Sequence, residues 1–211
     1  MNRGKLIIFE GINGSGKSHY SKIIRDEPNT VYFKFPDRYS TTGRKIDKFL
    51  KKEINLPLEE SIQLFIDNIF ESKNNIKNKL NQGINVICDR YVISTMTYNY
   101  TEIINQIYNK NKINSNTILT LIKKINGLIK PDIIFLINGD HIDKREESAQ
   151  RYHKNETMNM LIFNNYITTL SLLKEKWILI DNVDLSKTKE NIKLILTTIN
   201  LINNNSIQYY F

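Results

Sequence analysis

The chain has 211 residues, 30 of them Lys or Arg and 22 Asp or Glu, for a formal net charge of +8 at pH 7. With 40% hydrophobic residues and only 8 Gly and 4 Pro, it can bury a sizeable core and is neither collagen-like nor linker-dominated. A lone cysteine, Cys88, excludes an internal disulfide framework and a Cys-rich zinc site, and no apolar run approaches the roughly 18 residues needed to span a bilayer. The expectation is an intracellular, cytoplasmic protein with no leader peptide and no membrane partner. Lysines such as Lys73, Lys77, Lys110, Lys112, Lys123 and Lys124 are scattered among Asn and Ile. They form no dense basic block, so the charge points away from a nucleic-acid partner.

Apolar runs of strand length alternate with helical patterns. Residues 5–9 (KLIIF) read as a strand feeding a Gly-rich turn, and 18–25 as a helix. A second strand, 31–35, ends at Pro36. From 58 to 80, Ile62, Phe65, Ile66, Ile69, Phe70, Ile76 and Leu80 recur at three- and four-residue spacing, and Gly83 stops the helix. A strand follows at 85–88, then helical patterns over 94–126, and Pro131 opens a strand over 132–137. Beyond a polar stretch, 138–156, lie a helix through Leu161, Ile162, Tyr166, Leu170 and Leu173, a strand at 177–180 and a last helix near 187–202. This order predicts a single α/β domain, a parallel sheet flanked by helices on both faces.

Residues 11–18, GINGSGKS, fit G-x-x-x-x-G-K-[ST] between an apolar strand and a helix, the context the motif requires. Glycines let backbone N–H groups curl around phosphate oxygens, and the helix adds its N-terminal dipole. Lys17 brings a cation to the outer phosphates, and Ser18 offers an oxygen to Mg²⁺. A chance match in a chain this long is expected at roughly one per cent or less. Two more segments end strands at the same carboxyl edge: Phe35-Pro36-Asp37-Arg38-Tyr39-Ser40, and Asp89-Arg90-Tyr91. Arg38 and Arg90 can therefore converge on phosphates there, and Asp89 can position Mg²⁺ or orient Arg90.

Taken in order, these segments resemble the thymidylate kinases, P-loop nucleoside-monophosphate kinases that phosphorylate dTMP. RGKLIIFEGINGSGKS is similar to the family's opening strand and phosphate loop, and FPDRYSTTG to its F-P-[ED]-R segment. DRY matches its third-strand motif, Leu64-Phe65 with Asn68 and Glu71 its L-F-x-x-N-x-x-E helix, and Lys130-Pro131-Asp132 its K-P-D strand. Gln150-Arg151-Tyr152 falls where eukaryotic and viral members carry E-R-Y in a lid, here about 139–156. The resemblance implies transfer of the γ-phosphoryl of ATP to dTMP with Mg²⁺, in a homodimer. The only hint of a dimer in the residues themselves is the wide Ile/Phe stripe of 58–80.

Carried over residue by residue, the resemblance places ATP at Gly11, Asn13, Gly14, Ser15, Gly16, Lys17, Ser18 and His19, and Mg²⁺ at Ser18 and Asp89. Arg38 would hold the acceptor's 5′-phosphate and Phe65 would stack on thymine, although on spacing alone Phe65 reads equally well as core. Glu10, Asn13, Phe35, Arg90, Ser94, Tyr98 and Tyr152 complete the acceptor site. Lys17, Asp89, Arg90 and a lid arginine, Arg145 or Arg151, would carry the transfer.

Four positions depart from the family pattern. Asn13 stands where a loop carboxylate contacts the sugar, and Gly14 where eukaryotic-type members place an arginine. Ile69 replaces the arginine that hydrogen-bonds the base, and Thr95 a common glycine. A kinase with another or broader acceptor, or a non-catalytic nucleotide-binding module, are the alternatives these departures leave open.

Overall fold

The computed structural model describes residues 2–108, 123–139 and 156–182, with positions 184, 187, 188, 190–192 and 197 beyond them. Five strands, β1 (Leu6–Glu10), β2 (Thr30–Lys34), β3 (Asn85–Asp89), β4 (Ile133–Asn138) and β5 (Trp177–Asp181), form one sheet in the order β2-β3-β1-β4-β5. Every pairing is parallel. The connecting helices are α1 (Lys17–Arg25), α2 (Thr41–Leu50), α3 (Leu58–Asn81), α4 (Val92–Tyr108) and α5 (Glu156–Leu173). Among the described residues no helix is long and apolar enough to cross a membrane.

β1 is buried along its whole length because it is central and covered on both faces, which is why LIIF is continuously apolar rather than alternating. Leu6 and Ile8 join Val86, Cys88, Ile134 and Leu136 on the face covered by α3, α4 and α5. Ile7 and Phe9 join Ile87, Phe135 and Ile137 on the other, where α1 supplies Tyr20 and Ile24. At the amino ends of the strands, Asp132 of the K-P-D motif accepts the Leu6 N–H at 2.7 Å and pairs with Arg3 at 2.8 Å. That motif therefore clasps β1 to β4, remote from the carboxyl edge.

The register brings Glu10 beside Leu136, and Phe9 beside both Asp89 and Phe135. The carboxyl ends of the central strands thus line up with the P-loop. The chain leaves β1 toward β2 on one side, and β4 is followed by β5 on the other, so this edge is a topological switch point, where open α/β sheets bind ligands.

The strands and α1, α3 and α5 lie where the sequence predicts them, within a few residues at each end. The pattern over 94–126 is helical over Val92–Tyr108 and again at 123–124, and residues 109–122 lie outside the described residues. Of the helix expected near 187–202, only the described positions can be placed, and they are helical. Sequence reading missed α2. Its signals are local: Ser40 caps it by accepting the Gly43 N–H at 3.1 Å, and Ile46 and Phe49 turn inward at three-residue spacing. Gly43 is obligatory there, because a Cβ would sit 1.6 Å from the Asp37 carbonyl oxygen.

The α3 stripe is absorbed by its own chain. Ile62, Ile66, Ile69, Ile76 and Leu80 enter the core, Phe70 packs against it, and Phe65 meets Phe49 of α2 edge-on with centroids 6.4 Å apart. The width of the stripe is therefore no argument for a dimer.

Asn68 on α3 ties these parts together. Its carboxamide oxygen accepts the Asp37 N–H at 2.8 Å, and the two N–H groups of its nitrogen serve Asp37 O, Ser40 Oγ and Thr42 Oγ1, which lie 3.1, 2.9 and 2.9 Å away. Truncation would strip a part-buried N–H and several acceptors of their partner. Asn68→Ala should lose about 2–4 kcal/mol in urea unfolding, whereas the exposed Asn75→Ala should stay within about 0.5 kcal/mol of wild type.

Candidate active site

The phosphate loop runs from Gly11 to Ser18, with Gly11, Gly14 and Gly16 at positive φ of 146°, 83° and 93°. A Cβ on Gly11 would lie 2.5 Å from the Ile137 carbonyl oxygen, so the turn off β1 tolerates no side chain. Gly16 precedes α1 as its N-cap and offers no side-chain cap, leaving the helix's first N–H groups available at the loop. Lys17 Nζ donates to the Ile12 carbonyl at 2.9 Å. Burial and the neighbouring Arg90 push its ammonium well below the usual lysine pKa, against the pull of Asp89 and Glu10. Asn182, just past β5, donates to the Ser15 carbonyl at 3.0 Å and accepts from the Tyr20 hydroxyl, bracing the loop from behind. No motif pointed to Asn182.

Asp89 ends β3 buried beside the loop. Its Oδ2 accepts from Ser18 Oγ at 2.6 Å and from the Tyr32 hydroxyl at 3.2 Å, with Lys34 Nζ at 3.6 Å. Its Oδ1 is buried with no hydrogen-bond partner among the described residues. One carboxylate with an uncommitted oxygen plus one serine hydroxyl is a donor set that suits Mg²⁺, which keeps most of its shell as water and phosphate oxygen. Among the described residues no three His, Cys, Asp or Glu side chains gather into an all-protein metal cage.

Arg90 follows with φ 72°, in the left-handed region that arginine rarely adopts. Its guanidinium donates from Nη1 to Ser94 Oγ at 2.7 Å and to the Tyr166 hydroxyl at 2.9 Å, and from Nη2 to Asn13 Oδ1 at 2.6 Å. It also lies 5.5 Å from the centroid of the Tyr98 ring. Of the two loop residues that depart from the family pattern, Asn13 is thus the one that bonds to Arg90.

Glu10 is placed differently from the expectation. It has no surface in the cleft, because its carboxylate is wholly buried behind Arg90. Oε1 accepts the Tyr91 and Ser94 N–H groups at 2.8 and 3.1 Å, and Oε2 accepts from Ser94 Oγ. Glu10 joins β1 to the start of α4.

A cleft opens from Arg90 between α3 and α4, lined by Asn13, Phe35, Pro36, Arg38, Phe65, Asn68, Ile69, Ser94, Thr95, Tyr98 and Asn99 among others. Phe65 lines this cleft and is not part of the main buried core. Phe35 is buried, stacked on Phe33 at 6.5 Å and edge-on to Tyr91 at 5.9 Å. Arg38 bonds to Asp47 of α2, whose carboxylate is held below its usual pKa by Lys51 first and by Arg38 second. Asn99 was not expected on this wall, yet it lies one helical turn from Thr95 there. His19 is exposed, with its ring edge-on to Tyr20 at 5.4 Å. Arg145, Arg151 and Tyr152, with nearly all of the lid, lie outside the described residues.

Burial raises the Glu10 carboxyl from 4.5 to about 7, against the opposing effects of Arg90, Ser94 and Tyr91. The folded protein then binds this proton more tightly than the unfolded chain. Its contribution to stability is complete below about pH 4.5 and is lost as pH rises through 7. The expected loss is about 3 kcal/mol across that window. Urea midpoints of wild type and Glu10→Gln at pH 5 and pH 8 check this. The gap between the two proteins should move in favour of the glutamine variant at pH 8, and a constant gap would show that Glu10 stays ionised throughout.

The family profile described as thymidylate kinase matches residues 9–194. The thymidylate kinase of Plasmodium falciparum (isolate 3D7) is 32% identical over 171 residues, covering 78% of this chain and 76% of the relative. That of Schizosaccharomyces pombe is 28% identical over 199 residues, covering 90% and 89%. The solved thymidylate kinase of Candida albicans, described as broad in substrate specificity, superposes with a TM-score of 0.81 at 25% identity over 99% of each chain. With its phosphate loop, DRY arginine and cleft in the places described above, the chain belongs to the thymidylate kinase family of nucleoside-monophosphate kinases.

Proposed function

We infer that this cleft moves the γ-phosphoryl of ATP onto the 5′-phosphate of dTMP, giving ADP and dTDP. An acceptor phosphate oxygen forms the new P–O bond as the β,γ-bridging bond breaks and its electron pair leaves with ADP. The observation that carries this reading is the placement of Arg90. It touches the donor loop through Asn13 and lines the same cleft as Arg38 and Phe65.

In this reading the loop N–H groups and Lys17 hold the donor phosphates, and Arg38 orients the acceptor phosphate through its free guanidinium edge. Arg90, with Arg145 or Arg151 from the lid, neutralises charge on the transferring group. Phe35, Phe65, Tyr98 and Tyr152 wall the nucleoside. Ser18 and Asp89 would hold Mg²⁺, which supplies charge neutralisation on the donor phosphates when bound. The acceptor monophosphate is already largely ionised at pH 7, so no general base is required. The homodimer and the cytoplasmic location belong to the same proposal and rest on the family. The dispersed lysines favour a small phosphorylated substrate over a polynucleotide.

One observation favours a second reading, a kinase with broader base acceptance. Ile69 presents an apolar wall where the family's arginine would bond the base. ADP release with Mg-ATP against dTMP, dUMP, UMP, dCMP, dGMP, AMP and thymidine decides between the two. Preference for dTMP sustains the first, comparable turnover of several monophosphates the second, and silence across the panel overturns both.

Lys17→Met should lower kcat by about 10²-fold or more with an unchanged circular dichroism spectrum. Arg38→Ala should raise KM for the monophosphate about tenfold with a smaller change in kcat, and an unchanged KM removes Arg38 from the acceptor site.

A further inference from the structure

Tyr166 comes from α5, more than seventy residues after the DRY segment, and no motif marked it beyond its apolar spacing. It is fully buried, yet its hydroxyl stands at the junction of three functional elements. The oxygen lies 2.9 Å from Arg90 Nη1, 2.9 Å from Ser94 Oγ and 3.2 Å from the carbonyl of Gly11, the first residue of the phosphate loop.

The hydrogens in this cluster can be assigned by elimination. Arg90 can only donate, so it gives Nη1–H to the oxygens of both Ser94 and Tyr166. Above pH 7, where Glu10 is ionised, its carboxylate can only accept, so it takes the Ser94 hydroxyl hydrogen. The Gly11 carbonyl likewise only accepts, so the Tyr166 hydrogen goes to it or to the remaining lone pair of Ser94. Burial keeps the phenol protonated by lifting its pKa well above the usual 10. Both Nη1 hydrogens of Arg90 and both hydroxyl hydrogens at the junction are therefore used.

The geometry points to Tyr166 as a positioning residue for phosphoryl transfer: its hydroxyl, paired with Ser94, fixes the Arg90 guanidinium against the phosphate loop. This rests on the reading that Arg90 acts on the transferring group. Arg90 needs such support, since its backbone is left-handed and its side chain crosses from the end of β3 to the loop. A guanidinium already oriented loses less freedom when charge develops on the phosphoryl group. Without the hydroxyl, Nη1 keeps one acceptor and can swing about it. The phenyl ring of a phenylalanine would still pack edge-on to Tyr98, now 6.2 Å away, so the deletion is nearly isosteric.

The test is steady-state kinetics of Tyr166→Phe, Arg90→Lys and the double variant in the full chain with Mg-ATP and dTMP, beside thermal midpoints. The expected result for Tyr166→Phe is a kcat about tenfold lower with both KM values within about twofold. In the Arg90→Lys background the same change should have little further effect. A packing role alone would lower the midpoint and leave kcat in place. Should Tyr166→Phe fold poorly, Ser94→Ala removes the other acceptor on the same nitrogen and should lower kcat similarly. An impaired Arg90→Lys together with wild-type kcat in the hydroxyl-deletion variant overturns the inference while leaving the proposed function standing. An Arg90→Lys enzyme as fast as wild type overturns the role of Arg90, and the inference with it.

Discussion

A carboxylate taken wholly out of water at the end of the central strand has to be met by donors, and meeting them organises the site. Glu10 takes the N–H groups of Tyr91 and Ser94 and the Ser94 hydroxyl, so the turn from β3 into α4 is drawn onto β1. That turn places Arg90 in its left-handed conformation, and the serine that satisfies Glu10 also receives Arg90. A satisfied buried carboxyl group and an oriented surface-reaching guanidinium are thus two ends of one hydrogen-bonded cluster. The phosphate loop enters the same cluster through Asn13 and the Gly11 carbonyl.

The acceptor side is built by a separate device. Asn68 holds the Asp37–Thr42 segment through both ends of its carboxamide, and Gly43 lets α2 close against that segment at backbone contact. Arg38 is therefore delivered by a braced loop, although its own guanidinium is partly exposed. Neither α2 nor Asn68 carries chemistry, but both decide where an arginine can reach.

Much of this was legible in the sequence because it is local. Continuous apolar runs gave the buried parallel strands, and G-x-x-x-x-G-K-S gave the loop from eight adjacent residues. The missing parts depend on long-range contacts. Tyr166 looks like one more apolar position on α5, and only its partners, 76 and 155 residues away, give its hydroxyl a role. Asn182 braces the loop across a separation of 167 residues. Glu10 was picked out, but its burial was not, since sequence order alone cannot show that a carboxylate faces backbone N–H groups. Helix α2 was within reach, through the Ser40 cap and the Ile46/Phe49 spacing, but its few apolar residues gave a weak period.

Those sequence separations also bear on when the loop can first exist during synthesis. β1 emerges early, but it needs β3, some eighty residues later, and β4 later still, before it has neighbours on both edges. The loop's remaining ties come from Tyr166 and Asn182, near the end of the described chain. A ribosome-bound fragment carrying the complete phosphate motif therefore lacks the partners that shape it. Nucleotide binding should arrive late and cooperatively as the chain is finished, because this topology defers nearly all of its decisive contacts.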